Sequence, residues 1–131
     1  MSIQAKCILQ AELSETTVGT GEDHYLTMPL EGEWQLEACY FTPNAATTAH
    51  ASNTATLMVK QGATEVVTQQ VVSTGGIGSL VAGTTLTFAI ATAGASLVFG
   101  KGDNVHVDVD KAASGVAVLG DWTFGFRQVA S

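Results

Sequence analysis

Charge is scarce in this chain: Asp, Glu, Lys and Arg make up 13% of 131 residues, about half the roughly 25% of an ordinary soluble domain. The scarcity is greatest for positive charge, with 5 Lys and Arg against 12 Asp and Glu and a formal net charge of −7. Such a balance repels a phosphate backbone instead of releasing its counterions, which argues against direct nucleic-acid binding. Long apolar runs are missing too. No segment reaches the 18 or so uninterrupted apolar residues of a membrane span, and residues 1–12 lack the basic flank and apolar run of a signal peptide. The expectation is a soluble chain made in a cytoplasm, without a membrane partner.

Cysteine and proline are rare, at 2 residues each. Cys7 and Cys39 lie in strand-like stretches without metal-ligand spacing, and a reducing cytosol leaves them as free thiols, with a Cys7–Cys39 disulfide as the lesser alternative. No Pro-rich linker, repeat or charge run divides the chain, so residues 1–131 read as one domain, of a size that buries its own core. The reactive motifs are absent as well: no Gly-x-Ser-x-Gly elbow, no phosphate-cradling Gly-Lys-Thr/Ser loop, no His-Glu-x-x-His and no paired Cys-x-x-Cys. The expectation is a non-enzymatic protein without a cofactor.

What the chain does have is period-two alternation punctuated by Gly, Ser, Thr and Asn clusters. Ala5, Cys7, Leu9, Ala11 and Leu13 alternate with Gln4, Lys6, Gln10 and Glu12, the period of a half-buried strand, although Ala, Gln, Leu and Glu also tolerate a helix there. A strand is expected over His24–Leu30. In 33–42, Trp34, Leu36, Ala38 and Tyr40 are expected on one face, with Gln35, Glu37, Cys39 and Phe41 on the other, and Pro43 as the stop. The Ala/Thr-rich stretch 44–53 reads as a loop or weakly held edge, a mobile contact element. Strands over 54–60 and 64–73 are joined by Gln61-Gly62-Ala63, and Leu86, Phe88 and Ile90 share a buried face of a strand over 84–91, with a further strand over 95–99. Val105, Val107 and Val109 oppose Asn104, His106, Asp108 and Asp110, and Trp122, Phe124 and Phe126 form a last apolar stripe. Eight or nine short strands with short turns predict an all-β, antiparallel two-sheet β-sandwich, jelly-roll-like in topology.

Few residues are candidates for chemistry. His106, Asp108 and Asp110 share a strand face and could hold a divalent cation, but same-face neighbours lie almost 7 Å apart along a strand. A solvated or interface-facing polar row is therefore the simpler reading, and no metal site is assigned. Asp23 and His24 are adjacent and so point to opposite faces. Lys101-Gly102-Asp103 reads as turn chemistry. The Trp122, Phe124, Phe126 stripe reads as core before it reads as a sugar-stacking platform. Trp34 and Tyr40 carry polar atoms that need partners, which makes that strand's ends plausible interface positions. The neutral Thr/Ala/Gly-rich surface, easily desolvated, suits contact with other protein subunits.

The residues Gly-Glu-Trp-Gln-Leu-Glu-Ala-Cys-Tyr-Phe at 32–41, Val-Ala-Gly-Thr-Thr-Leu at 81–86, Phe-Gly-Lys-Gly-Asp-Asn-Val-His-Val at 99–107 and Ser-Gly-Val-Ala-Val at 114–118 resemble small jelly-roll-type structural proteins of tailed bacteriophages, above all head decoration (cement) proteins. The resemblance implies a virion protein on the capsid exterior, a homotrimer that clamps neighbouring major capsid subunits. It also implies an N-terminal arm over 1–13, though that stretch is strand-like enough to be an edge strand of the sandwich. Ile3, Ala5, Cys7 and Leu9, with Trp34 and Tyr40, are then the expected subunit or capsid interface. The alternative function is a tail or fibre-associated domain that binds a host-surface glycan.

Overall fold

The computed structural model describes residues 5–13, 21–91 and 97–131. Ile3 and the first two residues of the expected strand over 95–99 lie outside them. The described residues form ten strands: β1 (Lys6–Leu13), β2 (Glu22–Thr27), β3 (Glu33–Pro43), β4 (Thr54–Gln61), β5 (Thr64–Glu65), β6 (Gln70–Val72), β7 (Leu86–Thr87), β8 (Val98–Gly100), β9 (Asn104–Ala112) and β10 (Gly120–Ala130). They form two antiparallel five-stranded sheets. Sheet A runs β1-β10-β3-β7 with β8 also on β3, and sheet B runs β2-β9-β4-β5 with β6 also on β4. Among the described residues no helix is long and apolar enough to cross a membrane.

The pairings are nested: β1 with β10, β2 with β9, β3 with β7 and β8, β4 with β5 and β6. That is the pattern of one long hairpin. Contacts of β10 with β3 and of β9 with β4 roll this hairpin into two facing sheets, which is the jelly-roll winding the turn spacing predicted. The core lies between the sheets. Val105, Val107 and Val109 of sheet B and Trp122, Phe124 and Phe126 of sheet A are all buried, as their alternation required. The Trp122 ring packs between Phe41 and Phe88, at 4.9 and 5.1 Å.

Three details differ from expectation, each for a physical reason. First, β3 is out of phase after Leu36. Gly125 pairs with Ala38 while Phe126 pairs with Leu36, so Glu37 is an extra residue, a β-bulge. Trp34 and Leu36 face the core, and so do Cys39 and Phe41, whereas Ala38 is half-buried and Tyr40 exposed. Strict alternation would have buried Ala38 and the Tyr40 hydroxyl and left Phe41 in water. Shifting the phase buries a Phe ring instead, which favours folding by roughly 1.5–3 kcal/mol.

Second, the run 64–73 splits into β5 and β6 because Val66 and Val67 are both buried, which no regular strand permits. Val66 N–H donates to Val59 O at 2.9 Å, while Val67 bridges to Ile90. In the same region β7 shrinks to Leu86–Thr87, although Leu86, Phe88 and Ile90 do turn to the core. Third, the 44–53 stretch is pinned, not weakly held: Thr47 exchanges both backbone bonds with Leu80 at 3.0 and 2.9 Å, and its hydroxyl donates to Ala117 O at 2.6 Å.

The cysteines cannot bridge. Cys7 is opposite Phe126 and Cys39 opposite Phe124, so β10 lies between their strands. Two strand spacings, about 9.6 Å, exceed disulfide reach. Both thiols are free, and burial pushes Cys39 up to about 12 and raises Cys7.

Candidate functional site

The polar row on β9 faces solvent from sheet B, and the ladders on either side complete it. Tyr25 of β2 and Lys60 of β4 both pair with His106, and Asp23 pairs with Asp108. His106 Nε2 lies 2.7 Å from Asp23 Oδ1, and the Tyr25 ring stacks on the imidazole at 4.4 Å and 14°. Lys60 Nζ donates to Asp108 Oδ2 at 2.8 Å. Asp23, His106 and Asp108 each offer a ligand atom within 4.8 Å of the others. The geometric trio is therefore not the sequence trio, since Asp23 replaces Asp110. The along-strand gap is closed by cross-strand neighbours, which only the register supplies.

Electrostatics bind this row to itself. Burial works to raise the Asp108 pKa, but hydrogen bonds from Lys60 and Asp110 and the Lys60 charge outweigh it and hold the carboxyl below its ordinary value. Asp110 moves upward through desolvation and the adjacent Asp108 carboxylate. The Asp108 hydrogen bond raises Lys60. A cation at Asp108 would have to displace an ammonium already 2.8 Å away. The neighbouring Asp23-His24 pair is split between faces as expected, and His24 instead meets Glu22 at 3.0 Å on the core-facing side.

The outer face of sheet A is different in kind. Ile8 is 67% exposed, Gly125 lies opposite it on β10, and Ala38 lies opposite Gly125 on β3. Because Gly125 has no side chain, these positions form a shallow apolar trough, with Tyr40 (39% exposed) along it. Charges close one end, where Glu37 meets Lys6 at 2.6 Å and Arg127 at 3.4 Å. The Lys6 hydrogen bond is the main cause of a lowered Glu37 pKa.

The expected interface residues separate accordingly. Ala5 is exposed; Cys7 and Leu9 are half-buried on the inward face of β1 and pack against the core. Trp34 is buried and its Nε1 donates to Glu31 O at 2.9 Å. Tyr40 alone of the β3 pair reaches the surface. Ile8 was missed, although it is the one large apolar side chain in the otherwise polar even register of this strand. At Lys101-Gly102-Asp103 the turn reading holds: Gly102 has φ +93°, and Asp103 Oδ2 accepts from Gly100 N–H at 2.8 Å.

No family model and no curated protein matches the chain. Among solved structures, the structure of infectious bursal disease virus Gt strain is similar at 10% identity and a TM-score of 0.18, over 97% of this chain. The chain spans 40% of the length of that one. So slight a likeness carries no argument about fold or function.

Proposed function

We propose that the chain is a non-enzymatic structural subunit of a virus particle, decorating and stabilising a phage capsid by binding major capsid subunits as a homo-oligomer. The observation that carries this reading is the outer face of sheet A, an apolar trough through Ile8, Gly125, Ala38 and Tyr40 on a scarcely charged protein. A flat face of this kind takes little energy to desolvate and suits a flat partner. The jelly roll is common to viral capsid domains, lectins and cupins, so it accommodates the reading without choosing it. The resemblance at residues 32–41 and 99–107 adds the phage context.

The test is gold-labelled antibody against this chain applied to purified particles from the source culture. Label spread over heads is expected; unlabelled particles would refute the proposal. Label confined to tail fibres would transfer the protein to host-surface recognition. That second reading cannot use the tryptophans, which are both buried, but Tyr25 is 62% exposed and flat against His106 beside Asp23. Glycan binding lost in Tyr25→Ala, with folding intact, is the result that would establish it.

A further inference from the structure

Antiparallel sheets expose unpaired backbone at their edges, and folded proteins blunt those edges to prevent unplanned pairing. Three of the four edges here are blunted. One edge of sheet A is formed by β7 and β8, of 2 and 3 residues, and one edge of sheet B by β5 and β6, of 2 and 3. The other edge of sheet B, β2, turns the polar pair Glu22 and His24 toward the core side. The remaining edge is β1. It has 8 residues, no proline, an unbroken register with β10 and an exposed Ile8 at its middle. Among the described residues no strand covers it.

We propose that β1 pairs antiparallel with β1 of a second copy of this chain, about a two-fold axis through Leu9. The inference rests on the self-association in the reading above and names its surface. The hydrogen-bond phase supports it. Gln128 N–H donates to Ala5 O, so the odd residues of β1 direct their backbone groups to β10, and Lys6, Ile8, Gln10 and Glu12 direct theirs to the open edge. A two-fold at Leu9 sets even residues against even: Lys6 against the partner's Glu12, and Ile8 against the partner's Gln10.

Each of those opposed pairs exchanges two backbone bonds, so the four even residues are all satisfied. The charges agree as well, since Lys6 meets a carboxylate at both ends of the pairing. Lys6 would otherwise repel a like strand. On the core side Leu9 meets the partner's Leu9, which completes burial of a side chain left half-covered in one protomer. The product is a dimer with a continuous sheet through β3, β10, β1 and their two-fold copies, in place of the trimer that the resemblance implies.

Sedimentation and native mass spectrometry of the full chain test this. The wild type is expected at twice 13.5 kDa. Lys6→Glu and Glu12→Lys each place two like-charge pairs in a homodimer and should weaken it roughly tenfold or more. An equimolar mixture of the two variants restores both opposite pairs and should yield the heterodimer. Lys6→Glu also gives up its contact with Glu37, but does so alone and in the mixture alike. Ile8→Pro removes an N–H aimed at the open edge, not one in the β10 ladder, and should give folded monomer. A monomeric wild type, a mixture no tighter than its components, or an oligomer indifferent to Ile8→Pro would overturn the pairing. A monomeric wild type would also remove the homo-oligomer from the reading above, but none of these results bears on labelling of heads, so the pairing and the capsid assignment fail separately.

Discussion

Deleting Glu37 tests the bulge in β3 directly. Removal of that residue leaves Trp34, Leu36, Cys39 and Phe41 inward and Gln35, Ala38 and Tyr40 outward in unbroken alternation, so no core side chain has to move. On the far side of β3 the partner strand is interrupted between β7 and β8, which absorbs the one-residue shift. What is lost is two surface ion pairs, with Lys6 and Arg127, worth at most about 1 kcal/mol each. The melting temperature should therefore fall by no more than roughly 3–8 °C for a chain of this length. Deleting Tyr40 instead reverses the phase beyond it and drives Phe41 out of its contact with Trp122. That loss resembles a buried Phe truncation, about 3–5 kcal/mol, a large part of the roughly 5–15 kcal/mol that holds a domain folded. Thermal and urea unfolding of the two deletions, followed by near-ultraviolet circular dichroism, makes the comparison. Equal destabilisation by both, or failure of the Glu37 deletion to fold, would refute the phase argument.

Further outcomes follow from packing and charge. Gly120→Ala should destabilise by several kcal/mol, because a Cβ there overlaps the Thr42 carbonyl oxygen and the Phe41 ring, while Gly75→Ala, with nothing within 4 Å, should be nearly neutral; urea unfolding compares them. Asp108 is held below its unfolded value, so its contribution to stability is present at neutral pH and lost as pH falls through its folded pKa; Asp110, shifted upward, acts in the opposite sense. Lys60→Met should raise the lower titration step of that pair in carboxyl NMR and flatten the acid limb of the stability profile. In the native protein a thiol reagent should leave Cys39 unmodified and attack Cys7 slowly, and mild oxidants should form no internal disulfide; mass spectrometry after a timed quench reads both.

Much of the fold was legible because regular strands write their burial into the sequence. Val105, Val107 and Val109 could only be one face of β9, and Trp122, Phe124 and Phe126 one face of β10. The alternation before residue 14 suited a strand but left an N-terminal arm and an edge strand of the sandwich both open, a choice that needs the register of β1 with β10. What stayed hidden was whatever depends on register between distant strands. A bulge adds a residue without changing composition, so Glu33–Thr42 looked regular when it was not. Asp23 and Lys60 reach the His106 row only because β2 and β4 flank β9, 83 residues separating Asp23 from His106. Ile8 was readable as the wrong kind of residue on a wet face, a signal that needs the open edge beside it to acquire meaning.

The nested winding has a consequence for how the molecule is made. During synthesis β1 and β3 emerge early, yet the strand that sits between them begins only at Gly120. Until then β1 has no strand to pair with, and one side of β3 stays open even after β7 and β8 have joined the other. The growing chain must carry that open edge until β10 is made, which makes chaperone occupancy and the speed of the ribosome over the residues leading up to Gly120 determinants of yield.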